Sequence, residues 1–196
     1  MRHAAQATII GALLLGAVCA RATTVDGTAT IQGRPAADAV VYLEGAAPSG
    51  APAAPSHVVM DQKNLAFTPH VLAVVRGTIV EFTNSDDVQH NVFSPSAIAG
   101  KFNLGTYGPG ATRSVTLSQP GDVRILCNIH MEMEAHILVV DGPFFSAVAE
   151  DGSYHIRDVP AGTYTMKVWR TRWLPFTQTL ELPASGNLTA NVELQE

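Results

Sequence analysis

Short runs in which apolar and polar residues alternate recur along most of this chain. Val71 to Val75 and Thr78 to Thr83 flank Gly77, and Val58-Val59-Met60 precedes them. Ser114 to Ser118 and Val123 to Cys127 flank Pro120-Gly121, and Ala135 to Val140 follows. A period of two is the signature of strands, and turn residues between such runs predict a β-sandwich. Ser94 to Leu104 reads as irregular, with room for one helical turn, and Gly105, Gly108, Pro109 and Gly110 then break the chain. No amphipathic run at period 3.6 exceeds about ten residues. The expected class is all-β.

The flanks carry the same pattern. Thr28 to Gln32 and Asp38 to Leu43 read as strands around Gly33-Arg34-Pro35. Residues 46–56 read as a linker, stiffened by Pro48, Pro52 and Pro55 and with little to bury. Further on, Asp151-Gly152 is a hairpin signal between Ser146–Ala149 and Ser153–Arg157. Ala161-Gly162 opens a strand from Thr163 to Arg170, and Leu188, Ala190, Val192 and Leu194 alternate with polar partners.

The start of the chain changes the picture. Arg2 and His3 precede an apolar run from Ala4 to Val18, and Ala20-Arg21-Ala22 is a small-x-small cleavage site. Residues 1–22 therefore read as a signal peptide, and the apolar run is short for a membrane span. Cys19 raises a lipoprotein alternative, which Val18 disfavours, because a small residue is wanted before a lipidated cysteine. The expectation is export to the periplasm without stable membrane insertion.

Losing Arg2 and Arg21 and no acid shifts the net charge from −5 to more negative values, which disfavours nucleic-acid binding. Hydrophobic residues make up 46% and charged residues 15%, enough apolar content for a filled core. Cys127 is then the sole cysteine of the processed chain and has no disulfide partner.

That lone thiol sits in Cys127-Asn128-Ile129-His130-Met131-Glu132-Met133, between two predicted strands. His90, in Val88-Gln89-His90-Asn91-Val92, lies on another strand-to-loop junction. One thiolate, two imidazoles and a weak thioether form the trigonal set that holds copper for electron transfer. Each residue alone has a plainer reading: Cys127 as a small buried hydrophobe, His90 as a hydrogen-bonded core or surface histidine, the methionines as packing. Their conjunction on one turn favours the metal. Asp86 and Asp87 before His90, with Glu132 and Glu134 around Met133, read either as solvated loops or as an acidic surface that steers a basic partner.

Residues 57–140 resemble the cupredoxins, the plastocyanin and amicyanin group of blue copper proteins. The resemblance rests on Asn84-Ser85-Asp86, His90-Asn91-Val92 and Cys127-Asn128-Ile129-His130, and the Cys-x-x-His-x-x-Met spacing is similar to that of amicyanin. It implies a Greek-key sandwich over 57–141 and one type 1 copper held by His90, Cys127, His130 and Met133. Many relatives have proline after the second histidine, where this chain has Met131, so Met131 competes for the axial position. His136 is not a ligand by this resemblance, and His57, His70 and His155 read as surface residues.

The flanks resemble a carboxypeptidase-regulatory-like (transthyretin-like) β-sandwich, through Asp38 to Leu43, Asp151-Gly152-Ser153-Tyr154 and Val159 to Tyr164. Residues 23–45 plus 142–196 would then form one discontinuous sandwich with the cupredoxin inserted. The leading expectation is a periplasmic single-electron carrier, not an enzyme, whose partner is a redox protein such as a c-type cytochrome or a dehydrogenase. Copper capture and delivery is one alternative. The other is a non-metal adhesion or carbohydrate module using Trp169 and Trp173, although core or interface packing of those rings is the simpler reading.

Overall fold

The computed structural model describes residues 22–45, 57–97 and 101–195. The expected signal peptide (Ala22 apart), with its Cys19, and the expected linker lie outside the described residues. The described chain is all-β, with eighteen strands. The first are β1 (Ala22–Ile31), β2 (Arg34–Pro35) and β3 (Val40–Glu44). Then come β4 (His57–Lys63), β5 (Ala66–Thr68), β6 (Val71–Val75), β7 (Thr78–Asn84) and β8 (His90–Ser94). β9 (Phe102–Tyr107), β10 (Thr112–Leu117), β11 (Gly121–Leu126) and β12 (Glu134–Val140) complete the central stretch. The last are β13 (Phe145–Ala147), β14 (Ser153–Pro160), β15 (Gly162–Trp169), β16 (Phe176–Leu182), β17 (Gly186–Thr189) and β18 (Val192–Leu194).

The central strands form two sheets, β10-β7-β4-β5 and β6-β12-β11-β8-β9. β4 runs parallel to β7 and β6 parallel to β12, because the chain crosses between sheets after Thr68 instead of turning back within one. Such crossings make a Greek-key sandwich. Its core takes Met60, Val80, Phe82 and Leu117 from one sheet and Val74, Val92, Ile125, Ile137 and Val139 from the other. Cys127 and Met133 belong to this same core.

The flanking strands form two more sheets. β1 pairs with β14, β17, β18 and β2, and β3 lies between β13 and β15 with β16 outermost. Strands from before the central sandwich thus pair with strands from after it: Val25 sits opposite Ile156 and Val41 opposite Val168. A second core fills this sandwich, with Val25, Val41, Leu43, Tyr154, Ile156, Tyr164, Met166 and Val168. Gly27 lets β1 pass close by β17 and β18, since a Cβ there would lie 2.0 Å from the Ala190 carbonyl oxygen.

A third, smaller cluster joins the two sandwiches. Val40 meets Val71, Leu138 and Val140, with Tyr42, Ala73, Phe145 and Trp169 packed around them. β12 is consequently buried on both faces, not on one. Ala135, Ile137 and Val139 fill the core of the central sandwich, while Leu138 and Val140 face the flanking sandwich.

Three expectations need correcting. Residues 102–104, read as irregular, begin strand β9, and Gly105 lies inside that strand at φ 78 instead of ending it. There the pairing with β8 slips between Asn91 and Phe93, so the glycine marks a bulge. β1 begins well before Thr28, because Thr23 and Val25 are fully buried. The hairpin β4–β5 was not expected: its loop, Asn64-Leu65, takes positive φ at both residues, the conformation of a type I′ turn, without the usual glycine.

Candidate metal centre

Two loops at one end of the central sandwich bring the predicted residues together. Cys127 follows directly on β11, and its N–H donates to the Met133 carbonyl at 3.3 Å. The Met133 N–H donates to the His130 carbonyl at 3.0 Å, which folds the segment into a tight turn. That turn carries Met133 inward, where it is 1% exposed, and leaves Met131 outside at 87%. Of the two methionines only Met133 shares the core with Cys127.

His90 opens β8 and is fully buried. The loop before it is held by Asn84, whose Nδ2 donates to the Val88 carbonyl at 2.8 Å and the Tyr107 carbonyl at 3.3 Å. His90, Cys127 and His130 offer ligand atoms that all lie within 4.8 Å of one another, the sole such group among the described residues. Nδ1 of His90 and Nδ1 of His130 face each other at 3.1 Å.

The supporting contacts fix the donor atoms. The Nε2–H of His90 donates to Asp86 Oδ2 at 2.9 Å, which leaves the lone pair of a neutral imidazole on Nδ1. The N–H of Leu65 on Asp86, with help from His90 and the N–H of Asn64, holds the carboxyl below the usual carboxylate range. The Asn91 N–H donates to Cys127 Sγ at 3.5 Å. The Asn91 side chain is in turn fixed by Asn103 at 2.8 Å, and the same Asn103 oxygen accepts the Gly105 N–H. Beneath the site, Gln62 bonds the Tyr107 hydroxyl, and burial pushes that phenol up to about 12.

Asp86, quoted in the Asn84-Ser85-Asp86 motif and otherwise read as a solvated or steering acid, sits four residues before His90 and is the imidazole's partner, a role the sequence reading did not assign. Glu134 is also engaged: Arg124 grips it at 2.8 Å through both Nε and an Nη, and it lies 3.3 Å from His136. Of the four acids, Asp87 and Glu132 are exposed and have no partner among the described residues. His136 turns away from the centre, bonds Asp122 at 2.9 Å and packs on Trp169. His57, His70 and His155 are exposed, each beside a carboxylate.

A buried thiol, two imidazole nitrogens with converging lone pairs and a buried thioether suit a soft-to-borderline transition metal and not a hard cation. Residues 54–140 match the family of copper binding proteins that includes plastocyanin and azurin. The central domain belongs to that family. Its cofactor is copper, and the donor set fits that metal.

Solved structures similar to this cupredoxin domain include a Cu-containing nitrite reductase from Thermus scotoductus, 27% identical at a TM-score of 0.42. That similarity covers 44% of this chain and 23% of the reductase. A variant of amicyanin in its Cu(I) form is 20% identical at a TM-score of 0.41, over 43% of this chain and 83% of amicyanin. A purple cupredoxin from Nitrosopumilus maritimus is 20% identical at 0.38, over 44% of this chain and all of the other. No curated protein matches the sequence.

Proposed function

We propose that this protein is an exported carrier of single electrons, with one copper that would be held by His90, Cys127, His130 and Met133. The observation that carries this reading is the convergence of the three ligand atoms within 4.8 Å beside a methionine that is 1% exposed. When bound, the copper supplies a one-electron couple and an intense thiolate-to-metal absorption.

The chain's part is to keep the donors in one arrangement through both oxidation states. Asp86 holds His90 from behind and Asn91 holds Cys127. Met133 is locked by the hydrogen bonds of its own turn. With four protein donors around the metal, no position is left for a substrate, which favours a carrier over an enzyme. His130 is the half-exposed ligand and is flanked by Ile129, 43% exposed, and Met131. An apolar rim around an imidazole edge suits brief docking of a periplasmic redox protein, such as a c-type cytochrome or a dehydrogenase, with Asp87 and Glu132 available to steer it.

Residues 23–45 and 142–196 act in this reading as one sandwich into which residues 57–141 are inserted. It is supported by the pairing of β1 with β14 and of β3 with β15. The signal peptide would deliver the whole to the periplasm.

The test is an absorption and EPR spectrum of the copper-loaded protein, with Cys127→Ser as control. Intense colour that the substitution abolishes is the expected result. A colourless stoichiometric Cu(II) complex of the parent protein would sink the reading.

A further inference from the structure

Asn103 sits at the bulge of β9. Asn91 and Phe93 are two apart on β8, whereas their partners Thr106 and Asn103 are three apart on β9. Gly105 absorbs the extra residue with its φ of 78. Asn103 lies outside the motifs that carry the family resemblance, in a stretch the sequence reads as irregular.

The Asn103 side chain ties the bulge to the neighbouring strand. Its Oδ1 accepts the Gly105 N–H at 2.9 Å and Nδ2 of Asn91 at 2.8 Å. The first bond fixes which end of the Asn103 amide faces β8, and the second fixes the Asn91 amide in turn. Asn91 is 1% exposed, and its Oδ1 is buried without a hydrogen-bond partner. The bond to Asn103 is thus the sole hydrogen bond of that side chain among the described residues. A buried amide that leaves one atom unpaired is a costly arrangement. The same residue's N–H donates to Cys127 Sγ at 3.5 Å. Hydrogen bonding at the cysteine sulfur is one of the levers on the potential of a thiolate copper centre. The N–H dipole turns its positive end toward the sulfur, which favours the less positively charged oxidation state, Cu(I).

We propose that Asn103 is a positioning residue for the copper centre: its amide oxygen pins Asn91, Asn91 keeps its N–H on Cys127, and the reduction potential is raised. The proposal rests on the electron-carrier reading above. It adds a residue from β9, a strand that supplies none of the ligands.

The experiment compares the parent, Asn103→Ala and Asn103→Asp as full chains. In the metal-free protein, NMR follows hydrogen exchange of the Asn91 N–H. Asn103→Ala takes the acceptor from a buried Nδ2, and Asn91 exchange should become roughly tenfold faster. The core amides of Val80 and Ile137 should keep their parent rates. Asn103→Asp retains an oxygen that accepts both bonds and should restore slow exchange. In the copper form, voltammetry of Asn103→Ala should show a lower potential. The expected fall is a three- to tenfold shift of the Cu(I)/Cu(II) equilibrium, about 30–60 mV for one electron. Unchanged Asn91 exchange overturns the proposal, as does fast exchange in Asn103→Asp. Equal acceleration of the core amides overturns it too, because Asn103 would then be a general stabiliser. Faster Asn91 exchange with an unchanged potential refutes the link to the metal. A parent protein that takes up copper without colour fails the electron-carrier reading, while the metal-free comparison still decides whether Asn103 positions Asn91.

Discussion

Replacing Asp86 by alanine tests whether the centre is built from behind. Its carboxylate accepts three hydrogen bonds: from the N–H of Asn64 at 2.6 Å, the N–H of Leu65 at 2.9 Å and Nε2 of His90 at 2.9 Å. The two backbone donors are exposed, so water replaces much of what they lose, and each costs about 0.5–1 kcal/mol. His90 is fully buried, and leaving its Nε2–H without a partner costs about 1–3 kcal/mol. The metal-free protein should therefore lose about 3 kcal/mol in urea unfolding followed by circular dichroism. Copper affinity, measured against a competing chelator, should fall by about 10–100-fold, because the imidazole loses both its orientation and its fixed tautomer.

Asp86→Asn sharpens the test. Its amide has one oxygen for three donors, and its NH₂ must face either Asn64 N–H or His90 Nε2–H. It should lie between the parent and Asp86→Ala on both scales. If Asp86→Ala stays within about 0.5 kcal/mol of the parent and binds copper as tightly, the carboxylate is an ordinary solvated loop acid and the reasoning fails.

The two methionines of the turn should separate cleanly. Met133→Ala opens a cavity in the core and should cost about 2–5 kcal/mol in the metal-free protein, whereas Met131→Ala should change stability by less than about 0.5 kcal/mol. In the copper form, Met133→Ala should shift the reduction potential, read by voltammetry, and Met131→Ala should leave it in place. Leu65→Gly should stabilise the metal-free protein by about 0.5 kcal/mol, since glycine tolerates the φ of 59 that leucine adopts at a cost. His136 gives a pH prediction: the Asp122 carboxylate, against burial, raises its pKa above the ordinary 6.5. A raised value in the folded state means stabilisation present in full below 6.5 and lost as pH rises through the higher folded value. The urea midpoint of the parent should exceed that of His136→Gln most at acidic pH, and the gap should narrow above neutrality. A gap that widens with pH would contradict this.

The ligand set was legible because soft donors at Cys-x-x-His-x-x-Met spacing seldom coincide with a lone thiol. The choice between Met131 and Met133 was not, because two methionines two residues apart look alike until the His130–Met133 turn bond assigns them opposite sides. Asp86 was visible as a motif residue but its role was hidden for a related reason: an acid in a polar loop carries no periodic signal, and what it bonds depends on where β5 lies. That strand was itself concealed by a type I′ turn made from Asn64-Leu65. Gly105 shows the opposite error, since a glycine that relieves a bulge within a strand has the same composition signal as one that ends it. The fold class survived these misses because it rests on many alternating runs and not on any one boundary.

β12 explains why the flanking sandwich and the copper domain belong together. Its inner residues pack behind the ligand turn, and Leu138 and Val140 on its outer face are covered by Val40 with Tyr42 and Trp169 beside it. Burying each such valine or leucine is worth roughly 1.5–3 kcal/mol. Excising residues 57–141 would strip that cover while leaving the ligands intact. The excised domain is expected to bind copper with the same colour yet to self-associate, as judged by light scattering, through the uncovered face of β6 and β12. Replacing Leu138 and Val140 with threonine should relieve the association and leave the spectrum alone, because neither side chain lies in the core that holds Cys127. An excised domain that stays monomeric without those changes would mean that the flanking sandwich is an independent neighbour and not part of what keeps the copper domain in solution.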